Sequence, residues 1–479
     1  MRFHWIDLAI PALYVVGTLT VGLVRGRVPR RNTDEFLLMG RRLTLPAFVA
    51  TLVATWYGGI FGISEYSWRY GLANWFVFGV PYYLHAAIFA IFLARRARQT
   101  RLYSIPDQLE ASYGRGVARL GALVVFIMTM PAAYLVMLGT LGRWITGWSY
   151  PAALVAGLLF STLYIYTGGL RSLVATDIVY FLFMYCGFAV MVVALTAKYG
   201  GLGFLQTKVP PGLFTPTGGQ SFGAVLVWYF IASTTLIEPY FYHCVYASDS
   251  RRTATSGILI SILFWIFFDF MTTTTGLYAR ALLPDIADPT VAFSELARRV
   301  LPIGFFGFFL ASLLATVMST VDSSYFIAAG AFGRDLLWKG RNGAQTSEIP
   351  RYVRIGLVAS CIGSFLLALT TESIITLWHD LGSVGAPMLL IPMLSSFSKR
   401  HRFPRGWVLP SMILAGALSL TWTLAPKFTL SDQYWLGVQP IYMGFGTSLA
   451  CYLVALGTRR ARANRNGMSE VSDTVIEPT

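Results

Sequence analysis

Five oxygen-bearing side chains fall within eight consecutive positions of one apolar stretch, "TVMSTVDS": Thr316, Ser319, Thr320, Asp322 and Ser323. In a helix, Thr316, Ser319, Thr320 and Ser323 share a face, and Asp322 follows Ser319 by three. Taken singly, each hydroxyl can bond back to its own helix or serve helix packing. Taken together with a carboxylate, they make an oxygen set suited to a hard cation such as sodium. A second acid, Asp177, stands six residues after Arg171 in "SLVATDIVYFLFMYCGF". Placing a carboxylate at the centre of hydrocarbon costs on the order of 3 kcal/mol, so such a group is either functional or silently paired. Asp269 and Glu238 raise the same alternatives, as candidates to bind solute or protons. No nucleophile–base arrangement or metal motif accompanies them, which argues against an enzyme. Cys186, Cys244, Cys361 and Cys451 show no CxxC or histidine pairing and read as packing residues.

The elements that must position these groups are membrane helices. Of 479 residues, 55% are hydrophobic and 12% charged, whereas soluble domains carry about 25% charged residues. The polar surface needed to wet a globule of this size is missing. A net charge of +15 could suggest nucleic acid, but the basic residues cluster between apolar runs and read as topology signals. Thirteen runs approach the length of about 20 residues that a bilayer demands. They are helix 1 (6–24), helix 2 (45–64), helix 3 (75–93), helix 4 (120–141), helix 5 (152–166), helix 6 (170–195) and helix 7 (222–245). Helix 8 (257–278), helix 9 (303–331), helix 10 (353–369), helix 11 (374–397), helix 12 (408–424) and helix 13 (438–456) complete the set. Basic clusters at 25–42, 95–101, 251–252, 334–341, 399–405 and 459–465 fall on one side, which predicts an N-terminus outside and a C-terminus inside. The basic cluster of the first run follows its apolar part and no A-x-A site appears, so it is expected to remain as a spanning helix.

A coordination shell also draws on backbone carbonyls, which an intact helix does not spare. Helix 2 contains Gly58, Gly59 and Gly62, and helix 7 contains Pro239; both residue types interrupt a helix. Interrupted helices at matching positions in two halves mark a transport site. Helices 2 and 7 would each open a five-helix unit, and an odd number inverts the second unit relative to the first. Residues 1–44 then hold an extra helix and a cytoplasmic loop, 45–200 the first repeat, and 201–400 the second, with an external loop at 280–302. Residues 401–463 form two C-terminal helices and 464–479 a disordered cytoplasmic tail.

"YTGGLRSLVATDIVYFLFMYCG", "VMSTVDSS" and "ATWYGGIFGISEYSWRYG" resemble the solute:sodium symporter family, and the resemblance covers all thirteen helices. It implies a leucine-transporter-like core of two inverted five-helix repeats, helices 2–6 and 7–11, working by alternating access as a sodium-coupled importer in the plasma (inner) membrane. It further implies a principal sodium site from the carbonyls of Leu52, Thr55 and Thr316 with the hydroxyls of Ser319 and Thr320. A second sodium would lie with Asp177, Asp322 and Ser323. Two positions depart from the family pattern: Ala54, where some members carry an acid, and His243–Cys244, where many carry Gln-Arg.

The solute pocket is expected beside the helix 2 break, lined by Trp56, Tyr57, Gly58 and Gly59 with Tyr82 and Trp228. Trp378, His379 and Asp380 form either an outer gate or an aqueous loop end, while His4, His85 and His401 lack ligand spacing. A proton-coupled transporter using Asp177, Asp322 and Asp269 is the alternative, and a membrane sensor is disfavoured by the lack of an output domain in this sequence. A compact amino acid, an organic acid and a small sugar fit the sequence equally.

Overall fold

A computed structural model describes residues 3–25, 33–162, 165–341, 345–370, 373–429 and 434–473. Among them, regular structure is helical apart from one isolated bridge between Leu43 and Ser248. Among the described residues, eleven helices are long and apolar enough to cross a bilayer. These are helix 1 (Trp5–Arg25), helix 3 (Trp75–Thr100), helix 4 (Arg115–Thr146), helix 6 (Gly169–Tyr199), helix 7 (Phe222–Ala247) and helix 8 (Arg251–Leu282). With them come helix 9 (Phe305–Trp338), helix 10 (Thr346–Ala368), helix 11 (Ile374–Ser396), helix 12 (Arg405–Pro426) and helix 13 (Pro440–Arg459). Helix 2 is a bent pair, Leu45–Trp56 and Ile60–Tyr70, whose halves meet at 60°. Helix 5 (Tyr150–Thr162) is shorter, its apolar part running Tyr150–Leu159. The last helix continues to Asp473 through residues expected to belong to a disordered tail; Ala, Arg, Met and Glu favour helix there and no proline intervenes before Pro478. Arg27, Arg30 and Arg31, and residues 474–479, lie outside the described residues.

Both broken helices have local causes. In helix 2 the turn falls at Tyr57, Gly58 and Gly59. A Cβ at Gly58 would collide with the Thr320 side chain, and one at Gly59 with the Trp378 ring. Helix 7 runs as Phe222–Ile231, tightens over Ala232–Ile237, and restarts as Pro239–Ala247 after an extended Glu238. Pro239 forces that extension, because its ring excludes the helical conformation for the residue before it.

Helix 9 is the most enclosed span. Helix 6 approaches it closely, Gly187 lying against Ser312. Helix 1 closes its N-terminal end, where Asp7 Oδ1 accepts the amides of Gly304 (2.7 Å) and Gly307 (3.1 Å). Helix 1 is also fastened to helix 6, the Ser172 hydroxyl donating to the Gly22 carbonyl at 2.5 Å. In the segment between helices 8 and 9, a short amphipathic helix (Ala292–Val300) buries Phe293 and Leu296 and holds helix 2 through the Phe293 amide, 3.2 Å from Ser64 Oγ.

Candidate functional site

In a continuous helix the carbonyls of Ala54 and Thr55 would accept the amides of Gly58 and Gly59, four residues on. The bend frees them, and helix 9 takes them up. Ser319 Oγ lies 2.7 Å from the Ala54 carbonyl and 3.0 Å from that of Thr316, sharing one proton between them. Thr320 Oγ1 donates to the Thr55 carbonyl at 2.5 Å. The Thr55 and Ser323 hydroxyls stand 3.2 Å apart. Three carbonyls and four hydroxyls thus converge where helix 2 crosses helix 9. Thr316 turns its own hydroxyl back to Ser312, at 2.7 Å, and offers only its carbonyl. Leu52 lies one turn earlier and lines the adjoining cavity.

Asp177 and Asp322 are both fully buried, each bonded to a different tyrosine. Tyr240 donates to Asp177 Oδ2 at 3.4 Å, and Tyr180 to Asp322 Oδ2 at 3.1 Å. Asp177 Oδ1 is buried beside Thr51 and has no partner in hydrogen-bond geometry among the described residues. Ser323, adjacent to Asp322 in sequence, faces the other way, toward Thr55 and the cavity. Tyr240 also lines that cavity and so joins Asp177 to it. No group of three or more His, Cys, Asp or Glu among the described residues could hold a metal ion.

Beside the helix 2 break lies a cavity of about 230 Å³. Trp56, Tyr57, Gly59 and Tyr82 line it as the sequence suggests. Gly58 sits against Thr320, so its missing side chain admits helix 9. Trp228 packs away from the cavity, with Ile441 of helix 13 and with Phe78, at 4.8 Å between ring centroids. Trp378 lines the cavity and covers Gly59. His379 instead bonds Gln439 (3.1 Å) and Asp380 (3.2 Å). Glu238 and Asp269 both reach the cavity, Asp269 accepting the Tyr83 hydroxyl. His243 borders a smaller cavity with Arg334 and Asp335. Sequence reasoning missed Tyr134, Tyr240 and Phe241 as lining residues. The usable signal was proximity to proline: Tyr240 and Phe241 follow Pro239, and Tyr134 follows Pro131, where helix 4 breaks between Thr129 and Ala132.

The sodium:solute symporter family model matches residues 36–404, most of the chain. The chain belongs to the sodium:solute symporter family. This symporter is 26% identical to the sodium/pantothenate symporter of Escherichia coli (strain K12), over 97% of each chain. It is 25% identical to a high-affinity choline transporter of Caenorhabditis elegans, over 78% of this chain and 70% of that one. Its fold matches a substrate-bound, outward-open sodium-coupled sialic acid symporter, with a TM-score of 0.78 at 18% identity, covering 95% of this chain and 97% of the other. A nucleobase-cation-symport-1 transporter shares the fold at a TM-score of 0.58 and 14% identity, over 91% and 97% of the two chains. The symporter is a multi-pass membrane protein with the leucine-transporter-like core, and it couples import of a small solute to sodium.

Proposed function

We propose that the principal sodium sits between the bend of helix 2 and helix 9, held by the carbonyls of Leu52, Thr55 and Thr316 and the hydroxyls of Ser319 and Thr320. The observation that carries this is the pairing of the Ser319 and Thr320 hydroxyls with the carbonyls of Ala54 and Thr55, which the bend has released. An ion entering there displaces those two bonds and takes the same oxygens. The Ala54 carbonyl, which already meets the Ser319 hydroxyl, is a further oxygen that could serve beside or in place of that of Leu52. A second sodium is assigned to Asp177, Asp322 and Ser323, and the solute to the cavity beside the bend. The basic clusters support an external N-terminus and a cytoplasmic C-terminus in the plasma (inner) membrane.

Coupling follows from position. Trp56 and Tyr57 directly succeed Thr55, so an ion that fixes the bend also orders two walls of the solute cavity, and each ligand prepares the other's site. Each sodium moving down the membrane potential supplies about 2.3 kcal/mol per 100 mV, and about 1.4 kcal/mol is tenfold in solute accumulation. Relatives named for pantothenate and choline, an anion and a cation, leave the charge of the solute to be read from the cavity.

The test needs no solute. Binding of radiolabelled sodium to purified protein should weaken about tenfold in Ser319→Ala and in Thr320→Ala, each having lost one oxygen worth about 1.4 kcal/mol. Unchanged half-saturation in both variants rejects the site.

A further inference from the structure

We infer that the solute is a compact organic cation, such as an amine or quaternary ammonium, held by aromatic faces and the Glu238 carboxylate. This rests on the reading that the cavity beside the helix 2 bend is the solute site.

The charge balance of the cavity points one way. The chain carries 37 lysines and arginines and five histidines, yet none lines the cavity among the described residues, while Glu238 and Asp269 do. Asp269 is engaged by the Tyr83 hydroxyl. Glu238 has no basic partner among the described residues. An anionic solute would meet two carboxylates and no basic side chain, its one positive neighbour being the sodium proposed at Thr55 and Thr320, which five neutral oxygens hold. A cationic solute instead gives Glu238 the counter-charge that no side chain lining the cavity provides.

The structure also fills the places where an anion would bind. Broken helices offer anions the exposed amides of a new helix N-terminus. At the helix 7 break that position is taken by Glu238, whose Oε1 accepts the Tyr240 amide at 3.4 Å. The helix dipole there favours the ionised carboxylate. At the other new N-terminus, beginning at Ile60, the Trp378 ring covers Gly59.

The walls suit a cation positively. Trp56 lies 5.4 Å from Tyr82 and 5.5 Å from Phe241 between ring centroids. Trp378 lies 6.2 Å from Phe78 and 6.3 Å from Tyr134. Apart from buried Phe241 these rings are half-buried, leaving ring surface toward the cavity. Aromatic faces within about 6 Å attract ammonium groups, more strongly where water is excluded. The volume of about 230 Å³ suits a small solute, since drug-sized sites span roughly 300–1,000 Å³.

Three probes of similar bulk separate charge from shape: tetramethylammonium, uncharged tert-butanol and anionic pivalate. Each is titrated into purified protein in saturating sodium, and the shift in melting temperature is followed. Tetramethylammonium should bind at least tenfold more tightly than the other two. Glu238→Gln, which keeps the helix cap, should weaken it at least tenfold, and a cooperative melt shows the variant is folded. Equal or tighter binding of pivalate or tert-butanol overturns the inference, as does no response to the cation. Trp378→Leu isolates the underlying reading. If the preferred probe is anionic or neutral and its binding falls in that variant, the site is right and its charge assignment wrong. If a probe binds equally in wild type, Trp378→Leu and Glu238→Gln, the cavity is not the solute site.

Discussion

Asp177 has one carboxylate oxygen on Tyr240 and the other beside Thr51, and Tyr240 links it to the cavity wall. As part of a second ion site, Asp177 should make sodium binding cooperative. Asp177→Asn is therefore expected to lower the Hill coefficient of radiolabelled sodium binding toward one. An unchanged coefficient would reassign Asp177 to orienting Tyr240. At this scale the hydroxyl face of helix 9 was legible, because spacings of three and four residues are local. The tyrosines were not: Tyr180 and Asp322 are 142 positions apart, and Asp177 and Tyr240 are 63 apart. Nothing in a single chain pairs such distant positions. Trp228 shows the same limit in reverse, since residue type and proximity to a break cannot tell a cavity wall from a contact with helix 13.

Among elements, helix 2 was readable as broken because glycine weakens a helix anywhere. What the glycines admit was not readable, and it is protein: Thr320 at Gly58 and Trp378 at Gly59. Gly58→Ala should therefore separate helix 2 from helix 9, costing about 1–3 kcal/mol as overpacking does. A fall of several degrees in melting temperature and weaker sodium binding are the expected outcomes. Gly446 in helix 13 has open space around it. Gly446→Ala, as a control, should be neutral or stabilising by up to about 1 kcal/mol. Equal behaviour of the two variants in thermal melts would contradict the tight crossing.

For the whole molecule, membrane helices were legible because lipid leaves the backbone few alternatives to internal hydrogen bonds. The ion pairs that the basic clusters make were not legible. Arg334 at the end of helix 9 holds Asp107 at 2.9 Å, and Lys339 holds both Asp107 and Glu110, the latter at 2.6 Å. These bonds tie helix 9 to Ile105–Tyr113, the short helix preceding helix 4. Burial alone would raise the Asp107 pKa, but Arg334 and Lys339 overcome it and hold the carboxyl down, from an ordinary 3.8 to about 2. A depressed carboxylate stabilises the fold above its unfolded value, and that contribution is lost as pH falls from about 3.8 through about 2. Asp107→Asn removes the shared anion but leaves Arg334 with Asp335 and Lys339 with Glu110, so the cost should fall below the about 3–5 kcal/mol of a buried charge left alone. Its melting temperature should fall at neutral pH, and the wild-type decline between pH 3.8 and 2 should flatten. A variant that melts like wild type throughout this range would show that the latch carries no stability.

The Asp7 carboxylate on the amides of Gly304 and Gly307, and the Ser172 hydroxyl on the Gly22 carbonyl, fasten helix 1 to helices 9 and 6 at opposite ends of its length. Two rivets at the ends of a beam stop it from swivelling. These three helices are therefore expected to move as one plate in the transport cycle, with the bent halves of helix 2 shifting against it. Cross-linking helix 1 to helix 9 should leave transport running, whereas a bridge from helix 2 to helix 9 should jam it.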